Sequence, residues 1–382
     1  MIHVYHVVGL SGIGGVQKNF SDYSRVSIGR EDIAHTVFTI GEPDKSYINC
    51  YKHYNIKKLK SLFRLIKGIS SNRVIVHFYN NFGSKKLFIL LCVIPSNNLV
   101  IHERGASWNI DRNKKYRYHF IYKKVTKVIC NSYASKAMLL KKFNLPGEKM
   151  VVIYNGVDLN NTGLNVATKR FDTFTVGFIG RIDNPKGAHI IVSLANIASS
   201  LNHKIDFLIA GDGPLEKIIK RSSANLTNIS FLGRVHDPYS FISSIDILVV
   251  PSIREPLGNV ILEAGLCKKA VIASYIDGIP EINTNNKSGI LVEPSDPIDP
   301  FFVDKNLKTL PNFVVSPKTM ELIEPLQLSA KDIYEKIIFL INNQKIMTDL
   351  GKSLNKTVKD KFCLNRYERE LYSLYKSIQK QK

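Results

Sequence analysis

Two glutamates flank a turn that leads into a helical pattern. Glu255 stands just before a Pro-Leu-Gly turn, and Glu263 lies well inside the pattern that follows. The turn leaves the backbone amides of Gly258, Asn259 and Val260 at the positive end of a helix, where a diphosphate fits. The two carboxylates are too far apart for a catalytic pair, so we expect them to accept hydrogen bonds from vicinal hydroxyl groups on either side of the phosphates. The alternative is that both are ordinary surface glutamates.

A second loop carries two positive charges. Arg181 follows a strand-like run, and Lys186 comes five residues later, before a glycine and a new helical pattern. Two cations tied to one strand end can converge on a dianion, and a charge-assisted hydrogen bond of this kind contributes roughly 1.5–3 kcal/mol. Two solvated cations on a loop are the alternative, but the spacing favours a phosphate site.

A glycine-rich turn follows the first strand-like run. Gly9, Gly12, Gly14 and Gly15 allow backbone amides to approach a phosphate or a sugar. The spacing G-x-x-G-x-G-G differs from the G-x-G-x-x-G of dinucleotide-binding folds, and the acidic Glu42 follows the second strand later than in those folds. We therefore expect no nicotinamide or flavin cofactor.

Short β-branched runs alternate with longer helical patterns and predict the elements that position these residues. The predicted strands are 2–8, 36–40, 74–78, 99–101, 127–130 and 150–153, then 174–179, 204–210, 229–231, 247–250, 270–273 and 289–292. Such alternation indicates parallel sheets with helices on both faces. A polar break at 155–171 separates the two series, so we predict one domain over 1–165 and a second that begins at 166. Two such domains would hold a ligand between them, at the carboxyl ends of the strands.

The C-terminal third opens with an irregular segment. Residues 294–325 contain six of the fifteen prolines, which predicts a long surface loop. Helical patterns resume over 330–343 and again over 366–382.

Positive charge is concentrated in the first domain. Of the net charge of +21, residues 1–165 carry +16, with 25 Lys and Arg against 9 Asp and Glu; the rest of the chain carries +5, with 28 against 23. Residues 57–67 read as a basic amphipathic helix, and 112–127 interleaves aromatic with basic residues. Anionic lipid, a pyrophosphate-bearing acceptor or nucleic acid would each match such a surface. The alternative for 57–67 is a surface helix packed on its own domain.

Several classes of protein are excluded. Five scattered cysteines without CxxC spacing argue against a disulfide framework and a structural zinc site. The longest apolar stretch, 87–94, is far shorter than the roughly 20 residues of a spanning helix. The first residues lack the features of a secretory signal. We therefore expect a cytoplasmic chain without a membrane span.

Seven motifs in sequence carry a family resemblance. They are Gly14-Gly15-Val16, Asn155-Gly156-Val157-Asp158, the Gly180-Arg181 to Lys186-Gly187 loop, Ala210-Gly211-Asp212-Gly213-Pro214, Phe231-Leu232-Gly233, the Glu255 and Glu263 pair, and Asp277-Gly278-Ile279-Pro280-Glu281. Together they resemble glycosyltransferase family 4 over nearly the whole chain. The resemblance implies the GT-B fold: two Rossmann-like doubly wound α/β domains that face each other across a cleft. It also implies that a C-terminal helix, about residues 364–382, crosses back to the first domain, so that the second domain covers 166–363.

The resemblance assigns roles at the donor site. Glu255 would contact the donor sugar, as a catalytic residue, and Glu263 the ribose of the nucleotide. Arg181 and Lys186 would neutralise the diphosphate, which takes the place of a metal, so neither a metal site nor an Asp-x-Asp motif is expected.

The base would lie near Arg234 and Val235 and be recognised largely through the backbone, and Gly15 would approach the transferred sugar from the first domain.

Acceptor-side roles follow from the same resemblance. His102 matches a histidine beside the donor sugar and is the second predicted catalytic residue. Glu103, Arg104 and Trp108 would form the acceptor pocket, with the indole stacked on a sugar face. Gln17 replaces the acidic residue usual after the paired glycines, which leaves the acceptor undefined.

The implied activity is retaining transfer of a hexose from a UDP- or GDP-sugar to a glycan or lipid-linked saccharide, without a cofactor. The pathway would be bacterial lipopolysaccharide, O-antigen or capsule synthesis, with the protein peripheral at the inner membrane face. Two rivals stay open: a nucleotide-sugar epimerase of GT-B fold, and a basic nucleic-acid-binding protein. The second is disfavoured because the chain carries no recognised nucleic-acid-binding module.

Overall fold

The computed structural model describes residues 1–12, 14–44, 47, 51–80, 82–161, 173–303 and 310–380. The chain divides into two compact units. Unit 1 comprises Met1–Asp158 with Phe362–Lys382, and unit 2 comprises Leu159–Lys361. The predicted boundary between residues 165 and 166 lies outside the described residues.

The strands of unit 1 are β1 (Ile2–Val8), β2 (Ile33–Thr39), β3 (His53–Asn55), β4 (Val74–Tyr79), β5 (Leu99–Glu103), β6 (Lys127–Cys130) and β7 (Met150–Val152); those of unit 2 are β8 (Phe174–Ile179), β9 (Ile205–Ala210), β10 (Ile229–Gly233), β11 (Ile247–Val250), β12 (Ala270–Ser274), β13 (Ile290–Val292), β14 (Val314–Val315) and β15 (Leu322–Ile323). All twelve predicted strands are confirmed, with ends shifted by a few residues. The additional strands β3, β14 and β15 have two or three residues each, too few to produce a periodic pattern.

The α-helices are α1 (Gly15–Ser27), α2 (Leu59–Ile69), α3 (Lys85–Val93), α4 (Lys115–Lys124), α5 (Tyr133–Phe143), α6 (His189–Ser200), α7 (Glu216–Ser222), α8 (Pro238–Ser244), α9 (Asn259–Leu266), α10 (Ile279–Ile282), α11 (Ala330–Asn342), α12 (Gln344–Lys361) and α13 (Leu364–Lys380). Short 3₁₀ helices span Ala106–Asn109, Arg112–Lys114, Leu159–Asn161, Asn184–Lys186 and Pro300–Phe302. Within the described residues, no helix combines the length and the apolar character needed to span a bilayer.

Unit 1 is built on a seven-stranded parallel sheet of order β3-β2-β1-β4-β5-β6-β7. One apolar core lies between the sheet and helices α2 to α5. The other lies between the sheet and helices α1 and α13. Helix α13 buries Tyr367, Leu371 and Tyr375 on one face, because residues four apart lie on the same side of a helix. The C-terminal helix therefore packs on unit 1, as the resemblance implied.

Helix α2 confirms the helix predicted over 57–67, and its apolar stripe is not the face that packs on the sheet. The sequence places Leu59 and Phe63 on an apolar stripe, yet they are 71% and 67% exposed. The helix instead buries Leu65 and Ile69, one position out of phase with that stripe. A short helix with apolar residues on two faces leaves one of them in water.

Unit 2 is built on a six-stranded parallel sheet of order β10-β9-β8-β11-β12-β13. Its core joins α6, α7, α11 and the start of α12 to the sheet. The strand order reverses between β8 and β11, and in doubly wound sheets such a reversal marks the ligand-binding edge at the carboxyl ends of the strands.

The proline-rich segment is not the long loop that its composition predicts. It contains the 3₁₀ helix Pro300–Phe302 and an antiparallel hairpin of β14 and β15. Val314 and Val315 are fully buried, so part of this segment belongs to the interior of unit 2.

Candidate active site

Two loops meet at the reversal point of the unit 2 sheet. The loop after β8 and the loop after β11 are joined by backbone hydrogen bonds, because Ile253 N and Arg254 N both donate to Pro185 O, at 2.9 and 3.2 Å. Gly187 has a φ of +67°, and a Cβ there would lie 2.1 Å from Pro251 O. Only glycine permits this close approach, so the predicted phosphate loop is held against the predicted glutamate turn.

The structure brings two predicted site residues into direct contact. Lys186 Nζ lies 2.5 Å from Glu255 Oε2, and Ser252 Oγ donates to the same oxygen at 3.3 Å. Glu255 is nearly buried, with 8% of its side chain exposed, whereas Lys186 is 31% exposed. The pair therefore has one end in the protein interior and one end reachable by a ligand.

A carboxyl group that the sequence reasoning missed lies among the cations of this loop. Arg181 Nε is 3.4 Å from Asp183 Oδ2, and Arg181 is 67% exposed. Burial raises the pKa of Asp183, while the charges of Lys186, Arg181 and Arg254 act to lower it. Three cations thus lie around one carboxyl group. Its position between Arg181 and Lys186 in the sequence was the available signal.

The N-terminus of α9 lies beside Glu255. Gly258 caps this helix with a φ of +106° and no side-chain cap, and Asn259 and the half-buried Val260 form its first turn. A Cβ at Gly258 would lie 3.5 Å from Glu255 Cγ. The first-turn amides have no acceptors within their own helix, so this helix end is positive. It lies with the Lys186 ammonium near the Glu255 side chain, and two positive groups so placed are suited to bind a phosphate group.

The predicted nucleoside contacts lie further along the same edge of the sheet. Arg234 follows β10 and donates to Asp212 after β9, at 2.9 and 3.3 Å. The half-buried Val235 follows it, and Glu263 lies half-buried on the second turn of α9. The contacts of Arg234, Val235 and Glu263 with a nucleoside stay predictions.

His102 lies in the interior of unit 1, near the end of β5. Its ring packs 5.5 Å from the His77 ring and 5.6 Å from the Tyr79 ring, and it is fully buried. Burial, with a smaller contribution from Arg104, lowers the pKa of His102 well below its ordinary value, so the imidazole is neutral at pH 7. Among the described residues neither ring nitrogen has a hydrogen-bond partner. Its catalytic role stays a prediction.

Glu103 and Trp108 are enclosed within unit 1, and their acceptor roles stay predictions. Glu103 is fully buried, and its Oε1 accepts hydrogen bonds from Gly105 N, Ser107 N and Ser107 Oγ at 2.8–3.1 Å. The Trp108 indole is 1% exposed and presents no face to a sugar. Both side chains stabilise the turn after β5, because a buried carboxylate needs donors and a buried ring needs apolar contacts.

Arg104 and Gly15 have different surroundings. Arg104 Nη1 donates to Asn19 Oδ1 at 2.8 Å, and Asn19 Nδ2 donates in turn to Gly156 O at 2.9 Å. Arg104 is 8% exposed, so it is held mainly within unit 1. Gly15 is exposed and begins α1. Their predicted contacts with acceptor and donor sugar stay predictions.

No group of three or more His, Cys, Asp or Glu side chains in the described part of the chain is arranged to hold a metal ion. The expectation of catalysis without a metal stays a prediction.

Two family models match the chain in succession. The model described as Glycosyltransferase Family 4 matches residues 53–161, and the model described as Glycosyl transferases group 1 matches residues 173–305. Together they match well over half of the sequence. The chain is a glycosyltransferase.

Known proteins resemble this glycosyltransferase along most of its length. It is 24% identical to the capsular polysaccharide biosynthesis glycosyltransferase CapM of Staphylococcus aureus, over 91% of this chain and 90% of CapM. It is 26% identical to the N-acetylgalactosamine-N,N'-diacetylbacillosaminyl-diphospho-undecaprenol 4-alpha-N-acetylgalactosaminyltransferase of Campylobacter jejuni, over 56% of this chain and 58% of that enzyme.

A solved structure confirms the fold. The crystal structure of Anabaena HepE in complex with UDP-glucose matches the glycosyltransferase with a TM-score of 0.75 and 17% identity, over 99% of this chain and all of HepE. The predicted α/β architecture of GT-B type is therefore confirmed.

Proposed function

We propose that this glycosyltransferase transfers a hexose, with retention of configuration, from a nucleotide-diphosphate donor to a saccharide or lipid-linked saccharide acceptor. The observation that carries the proposal is the Lys186–Glu255 pair beside the N-terminus of α9. A cation and a helix N-terminus together form an anion site, and an adjacent carboxylate accepts hydrogen bonds from hydroxyl groups.

Each element of the site has a part in donor binding. Lys186, Arg181 and the first turn of α9 hold the diphosphate, and Glu255 binds the sugar hydroxyls. Arg181 is exposed enough to turn toward a ligand. Charge neutralisation by these groups makes a bound metal and a cofactor unnecessary.

The reaction exchanges one bond at the anomeric carbon. The bond from this carbon to the diphosphate oxygen breaks, and a bond to the acceptor oxygen forms on the same face of the sugar. The acceptor hydroxyl gives its proton to the departing diphosphate. The chain contributes charge stabilisation of that leaving group and alignment of the sugar.

The relatives support the class of donor and acceptor. HepE was solved with UDP-glucose, which favours UDP over GDP as the nucleotide. CapM acts in capsular polysaccharide biosynthesis, and the name of the Campylobacter enzyme specifies a diphospho-undecaprenol saccharide as its acceptor. We infer a role in bacterial surface-polysaccharide synthesis, of capsule, O-antigen or lipopolysaccharide.

Calorimetric titration with UDP, GDP and their hexose conjugates tests the donor site. We expect binding that persists in excess EDTA, and transfer products whose anomeric configuration, read by NMR, equals that of the donor. Full transfer activity in purified Glu255→Ala protein, or strict dependence on Mn²⁺ or Mg²⁺, would contradict the proposal. Conversion of the donor without any acceptor would favour an epimerase instead.

We also propose that unit 1 binds an anionic membrane surface. Helices α2, α3 and α4 pack on one face of the sheet, and their outer surface exposes Leu59, Phe63, Ile89, Val93 and Tyr116 by 52–81%. Exposed lysines and arginines on and beside these helices accompany the apolar side chains. Basic residues near an anionic bilayer contribute about 1 kcal/mol each, and exposed apolar side chains insert between headgroups. The protein would then be cytoplasmic and peripheral at the inner membrane face.

Sedimentation with phosphatidylglycerol vesicles tests the membrane surface. We expect the double variant Leu59→Ser/Phe63→Ser to bind roughly 10-fold more weakly, because about 1.4 kcal/mol or more of apolar insertion is lost. Phe339→Ser, which removes a half-exposed apolar side chain from unit 2, is the matched control. Failure of the wild-type protein to bind these vesicles at low salt would refute the membrane proposal, and a salt-dependent gel shift of oligonucleotides would favour a nucleic-acid partner.

A further inference from the structure

One buried carboxylate joins the candidate site to the proline-rich segment. Asp277 lies between β12 and α10 and is 2% exposed. Its Oδ2 accepts a hydrogen bond from Glu255 N at 2.9 Å, and its Oδ1 accepts one from Val315 N at 2.7 Å. The Asp277 backbone N–H also donates to Val315 O at 3.0 Å. A single side chain therefore links two segments 60 residues apart in sequence.

The segment on the far side of this link is ordered by its own hydrogen bonds. Val314 and Val315 pair with Ile323 and Leu322 in an antiparallel hairpin. Met320 N donates to Ser316 O at 2.8 Å and closes the connection between the two strands. We name residues 314–323 the β14–β15 hairpin.

The backbone around Asp277 holds Glu255 from a second direction. Gly278 N donates to Glu255 O at 3.1 Å, and a Cβ at Gly278 would lie 2.1 Å from Pro256 O. The N–H and the C=O of Glu255 are thus both held by residues 277–278. Its side chain points to Lys186 from a backbone whose position Asp277 determines.

The conformation of Asp277 indicates that its side chain is needed. Its φ of +47° lies in the left-handed region, which glycine occupies at little cost and other residues rarely adopt. Two amide donors face this position, and a carboxylate offers them two acceptor oxygens. Asparagine offers only one, and its amide group would face the second N–H donor.

We propose that Asp277 is a positioning residue that couples the β14–β15 hairpin to Glu255, and so determines where the Glu255 carboxylate meets the donor sugar. The proposal rests on the proposed function only for the role of Glu255 toward the sugar. Loss of the hydrogen bond from Glu255 N loosens the Glu255 turn, and loss of the one from Val315 N loosens the hairpin.

Hydrogen–deuterium exchange tests the coupling without a ligand. We expect Asp277→Asn and Asp277→Gly to increase exchange roughly 10-fold in peptides that cover residues 251–258 and 313–317, with strands β8 and β11 unchanged. Glycine adopts the left-handed conformation without strain, so the second variant removes both side-chain hydrogen bonds without straining the backbone. Asp349→Asn, at an exposed position of α12, is the control. Unchanged exchange in both segments, or faster exchange in only one of them, would overturn the coupling.

Paired titrations separate positioning from general damage. We expect Asp277→Asn to weaken binding of UDP-glucose or GDP-mannose roughly 10-fold but binding of free UDP or GDP less than about 2-fold, because Glu255 acts on the sugar. Equal weakening of sugar conjugate and free nucleotide would mean a structural role and overturn the proposal. If the wild-type protein binds the sugar conjugate no more tightly than the free nucleotide, the role of Glu255 in the proposed function is contradicted. The exchange experiment would still decide whether Asp277 couples the hairpin to the Glu255 turn.

Discussion

The carboxyl ends of the two sheets use their charged residues in different ways. In unit 2, Lys186 pairs with the nearly buried Glu255, and the side chains of Lys186 and Arg181 stay 31% and 67% exposed. In unit 1, the turn after β5 encloses Glu103 and Trp108, and donors of that turn reach one of the two Glu103 carboxylate oxygens. The unit 2 loops therefore present exposed cations, which the proposed donor site uses, whereas the unit 1 turn encloses its carboxylate and its indole.

The largest effect is expected where unit 1 was predicted to bind a sugar. Trp108→Ala should lower the free energy of unfolding by about 3–5 kcal/mol, because it leaves a large cavity in a closed interior. Chemical denaturation measures this, with Trp108→Phe as a milder control. A stable Trp108→Ala protein with an increased KM for the acceptor would show that the indole meets a sugar after all.

A charge removed from the unit 2 site should reduce activity while the protein stays folded. We expect Lys186→Ala to reduce kcat/KM for the donor roughly 10- to 150-fold, equivalent to 1.5–3 kcal/mol of charge-assisted hydrogen bonding. Removal of Lys186 leaves the nearly buried Glu255 carboxylate without its ammonium partner, so the free energy of unfolding should also fall, by about 1–3 kcal/mol. Lys336→Ala, at an exposed position of α11, is the control. If Lys186→Ala is inactive because it is largely unfolded, Lys186 has a structural role like that of Trp108, and the proposed difference between the two units is wrong.

Acid should destabilise unit 1 through its buried histidines. Burial lowers the pKa of His6, His77 and His102 well below the ordinary value, and that of His35 to about 4. Between these values and about 6.5 the unfolded chain binds more protons than the folded chain, so the free energy of unfolding decreases as the pH falls below about 6.5. Each histidine contributes up to about 1.4 kcal/mol per pH unit. Denaturation at several pH values gives the change in the free energy of unfolding per pH unit. This change should be smaller in His35→Gln than in the exposed-site control His236→Gln, and equal changes would contradict this explanation.

The smallest effect is expected at the surface pair Arg234–Asp212. Both side chains are about half exposed, so Arg234→Ala should change the free energy of unfolding by about 1 kcal/mol or less. If the base is bound mainly through the backbone, the dissociation constant of UDP should also change less than about 3-fold. Calorimetry would detect a larger loss of UDP affinity. Such a loss would assign recognition of the base or the phosphates to the Arg234 guanidinium group.

The predictable part of the site was the part that lies on continuous elements. Lys186 and Glu255 each follow a strand whose buried, β-branched sequence is unmistakable, so their loops could be placed at one edge of a parallel sheet. Asp183, Arg254 and Asp277 were missed, since their roles depend on which loops become neighbours at the reversal between β8 and β11. Whether the apolar stripe with Phe63 packs on its own domain or faces a partner was left open by the sequence, because a helix with two apolar faces does not reveal which of them is packed.

The sequence by itself determined the alternation of strands and helices, the two α/β units and the order of the motifs that mark a glycosyltransferase, because periodicity and turn residues act over a few neighbouring positions. Only the tertiary structure decided which charged groups pair with one another and which are enclosed. It buried Glu103 and Trp108, paired Lys186 with Glu255, and attached the β14–β15 hairpin to Asp277. These outcomes depend on strand order and on loop contacts between residues distant in the chain, and no local pattern encodes them.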